Sequence, residues 1–98
     1  RRRVFVPNVF SPDGDGINDI FVPEGGNDVA EIIDFKVFDR YGALLHEASN
    51  FLPGDISRGW DGRHKGKLFK SGVFVWFAKI RFIDGVEEIY RGDVTIMR

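Results

Sequence analysis

The residues best suited to chemistry lie together in one short acidic segment near the start of the chain, Ser11-Pro12-Asp13-Gly14-Asp15-Gly16-Ile17-Asn18-Asp19. Hard cations such as Ca²⁺ take six to eight oxygen ligands, and short Asp-rich loops with glycines supply them. Three carboxylates held close together without a cation would repel one another. The segment therefore predicts a structural Ca²⁺ site whose ligands are the side chains of Asp13, Asp15 and Asp19, the carbonyl of Ile17 and a further oxygen from Asn18 or Ser11.

A calcium-free turn is the competing interpretation of the same segment. Asp and Asn side chains commonly accept hydrogen bonds from backbone amides in turns. The segment also lacks a complete EF-hand pattern, because the twelfth position, counted with Gly16 at the glycine position, is Val22 rather than glutamate. It is more similar to the shorter Asp-x-Asp-Gly loops of calcium-stapled extracellular repeats.

A second segment, Gly59-Trp60-Asp61-Gly62, has an aromatic ring beside an Asp-Gly turn. An exposed tryptophan in such a loop can stack on a sugar ring or a peptide. Tryptophan is more often largely buried, so we expect Trp60 to close one end of a β-sandwich. The two interpretations differ in one observable, the exposure of Trp60.

No arrangement of residues in the sequence nominates a catalytic site. The two histidines, His46 and His64, have no identifiable nucleophile or carboxylate partner, and the Gly-x-Ser-x-Gly motif is absent. Neighbours in a strand point to opposite faces, so Glu87 and Glu88 cannot share one substrate. The glycines of the acidic segment are flanked by aspartates, which would repel a phosphate. The chain is therefore predicted not to be an enzyme.

The composition sets further bounds on the function. A chain of 98 residues fits one domain, residues 1–98, with Arg1-Arg2-Arg3 as the stub of a linker. The 14 basic and 15 acidic residues give a net charge of −1, which provides no overall field to attract nucleic acid. No apolar run reaches the roughly 18 residues of a membrane span, so direct membrane insertion is not expected. The absence of cysteine excludes thiol chemistry and cysteine-ligated zinc.

The elements that must position these loops are short β-strands. Apolar and polar residues alternate over residues 33–38, which puts Ile33, Phe35 and Val37 on one face of a half-buried strand. The next four residues, Asp39-Arg40-Tyr41-Gly42, have turn-forming types at the first and last positions. The chain is therefore expected to return as the second strand of a hairpin.

Two long β-rich runs, residues 73–83 and 86–97, occupy the last third of the chain and are separated by Asp84-Gly85, a typical hairpin turn. The connection over residues 49–70 is rich in Gly, Asp, Ser and Lys and is expected to hold one or two short strands. Short β-runs bounded by turn residues are typical of sandwiches. The sequence predicts an all-β fold, an antiparallel, Ig-like β-sandwich of about seven strands.

The register of the last hairpin follows from burial. A two-residue turn at Asp84-Gly85 puts Trp76 opposite Asp93, whereas a shift by one residue puts Trp76 opposite Val94 and gives a continuous apolar face. Because burial usually fixes register, we expect the shifted pairing, with a wider turn or a bulge near Gly92.

Three blocks of the sequence resemble the gliding motility-associated C-terminal domain, the type B C-terminal sorting domain of the Bacteroidetes type IX secretion system. The first runs from Pro7 to Asp19 and is similar to the family's Pro-Asn-x-Phe-x-Pro and Asn/Asp-Gly-Asp-Gly-x-Asn-Asp pattern. The other two are Phe35-Lys36-Val37-Phe38-Asp39-Arg40-Tyr41-Gly42 and a discontinuous block of Gly59-Trp60-Asp61-Gly62, Ser71-Gly72-Val73-Phe74 and the residues from Tyr90 to Arg98. The blocks occur in the family's order and cover nearly the whole chain.

The resemblance implies a non-catalytic sorting domain attached to a larger cargo region in the N-terminal part of the same chain. It implies passage through the periplasm to the cell surface or the medium, with recognition by an outer-membrane partner of the PorP/SprF type. Such domains are read from their C-terminal end, so the last strand is the expected recognition element, with an exposed edge that adds to a partner's sheet. Its residues are Asp93, Val94, Thr95, Ile96, Met97 and Arg98.

A calcium-stapled cell-surface adhesion or carbohydrate-binding module is the alternative function. It requires an exposed ring on Trp60 as the contact surface, whereas sorting requires the last strand. Burial of Trp60 would count against the carbohydrate-binding alternative.

Overall fold

β-Strands form the framework of the fold, as the alternating sequence pattern predicts. The computed structural model describes residues 4–12, 14 and 19–97, so the Arg1-Arg2-Arg3 segment lies outside the described residues. The strands are β1 (Val4–Phe5), β2 (Val9–Phe10), β3 (Glu24–Gly25), β4 (Val29–Phe38), β5 (Leu44–Phe51), β6 (Arg63–His64), β7 (Lys67–Leu68), β8 (Gly72–Phe82) and β9 (Glu87–Ile96). A single turn of 3₁₀ helix covers Ile56–Arg58. Within the described ranges, no helix is long and apolar enough to cross a membrane.

The central element is a five-stranded sheet with the strand order β2-β9-β8-β4-β5. The neighbours among β9, β8, β4 and β5 are antiparallel. β2 is added to β9 in parallel, with Val9 beside Thr95 and Phe10 beside Ile96. The sheet is therefore mixed rather than purely antiparallel, because the start of the chain lies beside its last strand.

A second layer of short segments covers one face of this sheet. β1 pairs with β3, and β6 pairs with β7, which agrees with the short strands predicted for the connection. Phe21 and Trp60 form an isolated bridge in which each N–H donates to the other's carbonyl, at 2.8 and 2.9 Å. The all-β, sandwich-like prediction is confirmed. The core between the layers includes Phe10, Phe21, Ile32, Phe35, Trp60, Phe74, Trp76, Ile80, Phe82, Val94 and Ile96.

The turn between β4 and β5 forms as predicted. Asp39 and Ala43 flank a three-residue loop in which the Gly42 N–H donates to the Asp39 carbonyl at 3.0 Å. The Asp39 carboxylate accepts two further hydrogen bonds from the backbone N–H groups of Tyr41 and Ala43. Gly42 has a φ of +90°, a conformation that glycine adopts without the steric cost of a Cβ.

The register of the β8–β9 hairpin differs from the predicted one. The Phe82 N–H donates to the Val86 carbonyl at 2.9 Å and closes a three-residue loop, residues 83–85, in which Gly85 has a φ of +87°. Trp76 lies opposite Gly92, so the predicted pairing of Trp76 with Val94 is wrong by two residues. The wider turn is confirmed, but the described pairing of β8 with β9 contains no bulge. The apolar face survives because a shift by two residues leaves every side chain on its original face.

An irregularity in β4 changes which isoleucine is buried. The pairing of β4 with β8 shifts between Ile32 and Asp34. Ile32 is buried with Phe35, whereas Ile33 is only half-buried. The predicted burial of Ile33 is therefore wrong, because a bulge breaks the strict alternation of faces.

Candidate functional site

Most of the acidic segment lies outside the described residues. Asp19 is described and half-buried, and its Oδ1 accepts a hydrogen bond from the Gly14 N–H at 3.0 Å. The fold therefore neither supports nor contradicts the predicted ligand set as a whole. The four predicted calcium ligands that lie outside the description are Asp13, Asp15, Ile17 and Asn18.

A second carboxylate, that of Asp61, lines the same surface cavity as Asp19. Asp61 Oδ1 accepts a hydrogen bond from the Arg63 N–H at 3.0 Å, and Arg63 Nε lies 4.0 Å from Asp61 Oδ2. Asp61 thus stabilises its own turn, and Arg63 partly balances its charge. Among residues 4–12, 14 and 19–97, no group of three or more metal-ligating side chains occurs, and the Ca²⁺ site stays a prediction.

Trp60 lies inside the sandwich, with 1% of its surface exposed. Its ring packs against Phe10, Phe69 and Phe74, with centroids 5.7, 6.2 and 5.0 Å away. Its Nε1–H donates to the Arg63 carbonyl at 2.8 Å, which satisfies the polar edge of the indole. The prediction that Trp60 closes the sandwich is confirmed, and the carbohydrate-binding alternative loses the contact residue on which it depends.

Three of the four ionisable residues considered for catalysis, His46, Glu87 and Glu88, have partners within the fold. His46 Nε2 lies 2.8 Å from the Arg58 carbonyl, to which it donates a hydrogen bond. Glu87 lies 3.5 Å from Lys79 Nζ, and the Glu88 carboxylate accepts a hydrogen bond from the Tyr90 hydroxyl at 2.7 Å. These side chains therefore contribute to strand and loop structure.

The last strand has a buried side and an exposed side. Val94 and Ile96 are buried in the core, while Asp93 and Met97 are exposed and Thr95 is half-buried. Arg98 lies outside the described residues. The strand can thus be held in position by one set of side chains and contacted through the other.

The edge of the last strand is not open where we expected it to be. The Thr95 N–H donates to the Asn8 carbonyl at 2.9 Å, and the Met97 N–H donates to the Phe10 carbonyl at 3.1 Å. The expectation of an exposed edge is therefore wrong for the segment from Thr95 to Met97, because β2 pairs with this part of the edge. Within the part of the chain that the structure describes, no strand pairs with this edge over residues 87–93.

The outer face of the sheet, which points away from the core, carries charged residues at one end. Lys36 forms ion pairs with Asp34 and with Glu47, the latter at 3.6 Å. The hydrogen bond to Asp34 raises the pKa of the Lys36 ammonium, which therefore stays protonated to higher pH than usual. Lys79 with Glu87 and Arg81 with Glu31 complete this set. We refer to these paired residues as the charged half of the outer face.

The other end of the outer face is apolar and exposed. Neighbouring positions on adjacent strands connect Val9, Thr95 and Val73 in one row and Leu44, Phe38, Val75 and the exposed Asp93 in the next, so one carboxylate borders this end. We refer to the exposed apolar members and the following Met97 as the apolar half: Val9, Leu44, Val73, Val75 and Met97.

The sequence contains a signal for this surface that the strand analysis missed. The stretch Val73-Phe74-Val75-Trp76-Phe77-Ala78 is apolar at every position, whereas a strand with one solvated face alternates. Phe74, Trp76 and Ala78 point into the core. Val73 and Val75 alternate with them in the strand and therefore form a second apolar set that faces outward. An uninterrupted apolar run in a sheet with one covered face predicts an exposed apolar surface.

Together, these features describe a small all-β module whose polar side chains mainly hold loops and strands, with an apolar surface beside its last strand. The family model of the CHU_C type IX secretion signal domain matches residues 4–96. The chain therefore belongs to this family, which confirms the resemblance found in the sequence. A comparison with curated proteins gives no match. Membership assigns the domain a role in secretion targeting, export to the cell surface or the medium, and interaction with the secretion machinery.

Proposed function

We propose that this domain is a non-catalytic targeting signal that directs an N-terminal cargo region of the same chain from the periplasm across the outer membrane. The observation that carries the proposal is the family match over residues 4–96, which spans every strand of the fold. A PorP/SprF-type outer-membrane protein is the proposed partner. The recognition element is residues 93–98, which comprise the last four residues of β9 and the two residues that follow them.

The two sides of this strand support a division of roles. Val94 and Ile96 anchor it in the core, so the position of the exposed residues is fixed. Among the described residues of this element, Asp93 and Met97 are exposed and can contact a partner. A rigidly held strand loses little conformational entropy on binding, which favours recognition.

A fusion experiment tests the targeting function. Residues 1–98 are fused to the C-terminus of a periplasmic reporter in a host with a working type IX system, with the bare reporter as the control. We expect the fusion at the cell surface or in the medium and the bare reporter in the periplasm. Removal of the cognate outer-membrane partner should return the fusion to the periplasm. Periplasmic retention in the complete host would contradict targeting, and export without the partner would contradict the partner assignment.

Deletion of the last strand is a poor test of recognition. It removes Val94 and Ile96, whose side chains are 0% and 1% exposed, and each loss of a large buried aliphatic group costs about 2–5 kcal/mol. A folded domain is stable by only about 5–15 kcal/mol, so loss of export would report unfolding. Substitutions at the exposed positions separate recognition from folding.

Calcium is proposed as a structural ligand of the acidic segment, since the Asp19 carboxylate lies at its end and Asp61 lines the adjoining cavity. At 100 times its Kd, a ligand bound only by the folded state stabilises it by about 2.7 kcal/mol. A domain of this size gains roughly 4–8 °C in Tm per kcal/mol, so saturating Ca²⁺ is expected to raise Tm by about 10–20 °C over the value in EGTA. Thermal melting followed by circular dichroism measures this shift.

The matched control for this experiment is the double variant Asp13→Asn/Asp15→Asn, which keeps the side-chain shapes and removes two charges. Its Tm should be the same with Ca²⁺ and with EGTA. A wild-type Tm that does not depend on Ca²⁺ would contradict the structural site.

A further inference from the structure

We propose that the apolar half of the outer face is the docking surface for an apolar segment of the secretion machinery. The inference rests on the proposed targeting function and extends it from the last strand to a surface shared by β2, β5, β8 and β9. Its members beyond the last strand are Val9, Leu44, Val73 and Val75, with Met97 at the chain's end.

The exposure of these side chains is the first observation. Val73 and Met97 are 51% and 56% exposed; Val73 lies directly opposite Thr95, and Met97 follows Thr95 by two residues. Scattered exposed apolar residues are ordinary, whereas contiguous apolar patches on a soluble domain mark contact sites. The cross-strand rows join Val73, Val75 and Leu44 through Phe38, and they join Val9 to Val73 through Thr95, with Asp93 at the border opposite Val75. The exposed apolar side chains are therefore clustered rather than scattered.

The contrast within the outer face is the second observation. The charged half belongs to the same sheet and has the same geometry, yet Lys79 and Arg81 there have carboxylate partners and suit a solvated surface. Among the described residues, the apolar half contains no ion pair, and the one carboxylate that borders it is Asp93, opposite Val75. If the outer face were only solvated, charged side chains would be expected at both of its ends.

The turn next to the patch supplies polar groups that the fold does not use. Tyr41 is 85% exposed, and the side chains of Arg40 and Tyr41 form no hydrogen bond or ion pair within the described ranges. Both line a surface cavity together with Phe69 and Val73, so they adjoin the apolar half. Arginine and tyrosine are enriched among the residues that dominate binding energy. An acidic group beside the apolar segment of the partner would pair with Arg40.

The occupant is inferred to be the machinery rather than the cargo region. Val4 and Val6 pack against the core, so the chain enters the fold from the covering layer, on the other side of the sheet from the patch. A targeting signal must also present its receptor with a surface of its own, whatever cargo precedes it. The apolar half meets both conditions.

Paired substitutions in the reporter fusion test this surface. Val73→Lys/Val75→Lys puts two charges in the apolar half, and Val73→Thr/Val75→Thr removes apolar surface while it keeps branched side chains suited to strands. Ile89→Lys is the matched control, since Ile89 is 54% exposed on the same outer face but lies opposite Lys79, in the charged half. We expect the Lys pair to lower export at least tenfold, the Thr pair to lower it severalfold, and Ile89→Lys to leave it within twofold of the wild type.

Melting and sedimentation measurements on the same fusions make each outcome decisive. The Tm of the Lys pair and of Ile89→Lys should agree within a few degrees, so that unfolding cannot explain a difference in export. Unchanged export of a folded Lys pair, with the wild type exported, would overturn the docking surface alone. A wild-type fusion that is not exported overturns the targeting function and this inference with it. A wild-type dimer that the Lys pair dissociates would identify a second copy as the occupant and overturn the proposal.

Discussion

Trp60→Ala is expected to destabilise the domain by about 3–5 kcal/mol, the usual cost of removing a large buried aromatic side chain. The ring lies among Phe10, Phe69 and Phe74, so its loss opens a cavity in the core of the sandwich. It also removes the hydrogen bond from Nε1 to the Arg63 carbonyl. With roughly 4–8 °C of Tm per kcal/mol in a domain of this size, Tm should fall by at least about 12 °C.

Tyr41→Ala is the matched control for this change. It removes an aromatic ring of similar size from a position that is 85% exposed, so its effect should stay within about 0.5 kcal/mol. Chemical denaturation of the two variants measures the difference. A Trp60→Ala free energy of unfolding within 1 kcal/mol of the Tyr41→Ala value would contradict the structural role of Trp60 and reopen its use as a ligand contact.

Local sequence patterns predicted the elements of this fold well. The alternation before Asp39 and the residue types of the turn gave the β4–β5 hairpin, and the Gly59-Trp60 segment gave the buried plug. Each of these features depends on contacts within a few residues or on the strong tendency of tryptophan to be buried. Such features can be deduced without knowledge of the rest of the chain.

Pairing between distant segments could not be deduced in the same way. The register of the last hairpin depends on a loop of three residues rather than two, and the sequence Asp84-Gly85 fits both lengths. Trp76 lies across Gly92, where a Cβ would come within 3.1 Å of the indole ring. The close contact explains why a glycine lies opposite Trp76, but this explanation can be given only when the register is known.

The parallel pairing of β2 with β9 had the largest consequence for function. The residues involved, Val9 with Thr95 and Phe10 with Ile96, are far apart in the sequence, and no local signal links them. Their pairing closes the edge that the sequence offered for recognition. It also brings Val9 beside Thr95 and into the same row as Val73, which extends the exposed apolar surface to β2. The candidate recognition site is therefore on the outer face of the sheet and not at the edge of the last strand.

Gly59→Ala is expected to destabilise the domain by about 3 kcal/mol or more, although the backbone at this position would accept alanine. Gly59 has a φ of −81°, and at such positions alanine usually stabilises by about 0.4–1 kcal/mol because it restricts the unfolded chain. Here a Cβ would lie 2.3 Å from Ile20 Cγ2 and 2.8 Å from the Phe21 carbonyl oxygen. A destabilising effect of Gly59→Ala would therefore show that a side chain is excluded by the lack of space around Gly59 and not by its backbone conformation.

The clash at Gly59 acts on the contact that joins the covering layer to Trp60. The Phe21 carbonyl accepts the Trp60 N–H, so moving Phe21 away weakens both hydrogen bonds of their bridge, in addition to the roughly 1–3 kcal/mol that overpacking costs. Ile20→Ala removes the nearest obstructing atom, and Gly59→Ala should cost less in that background than in the wild type. The backbone oxygen remains, so the rescue is partial. Equal costs in the two backgrounds, measured by denaturant titration in a double-mutant cycle, would argue that the layer adapts and that its close approach at Gly59 is not what holds Trp60 in place.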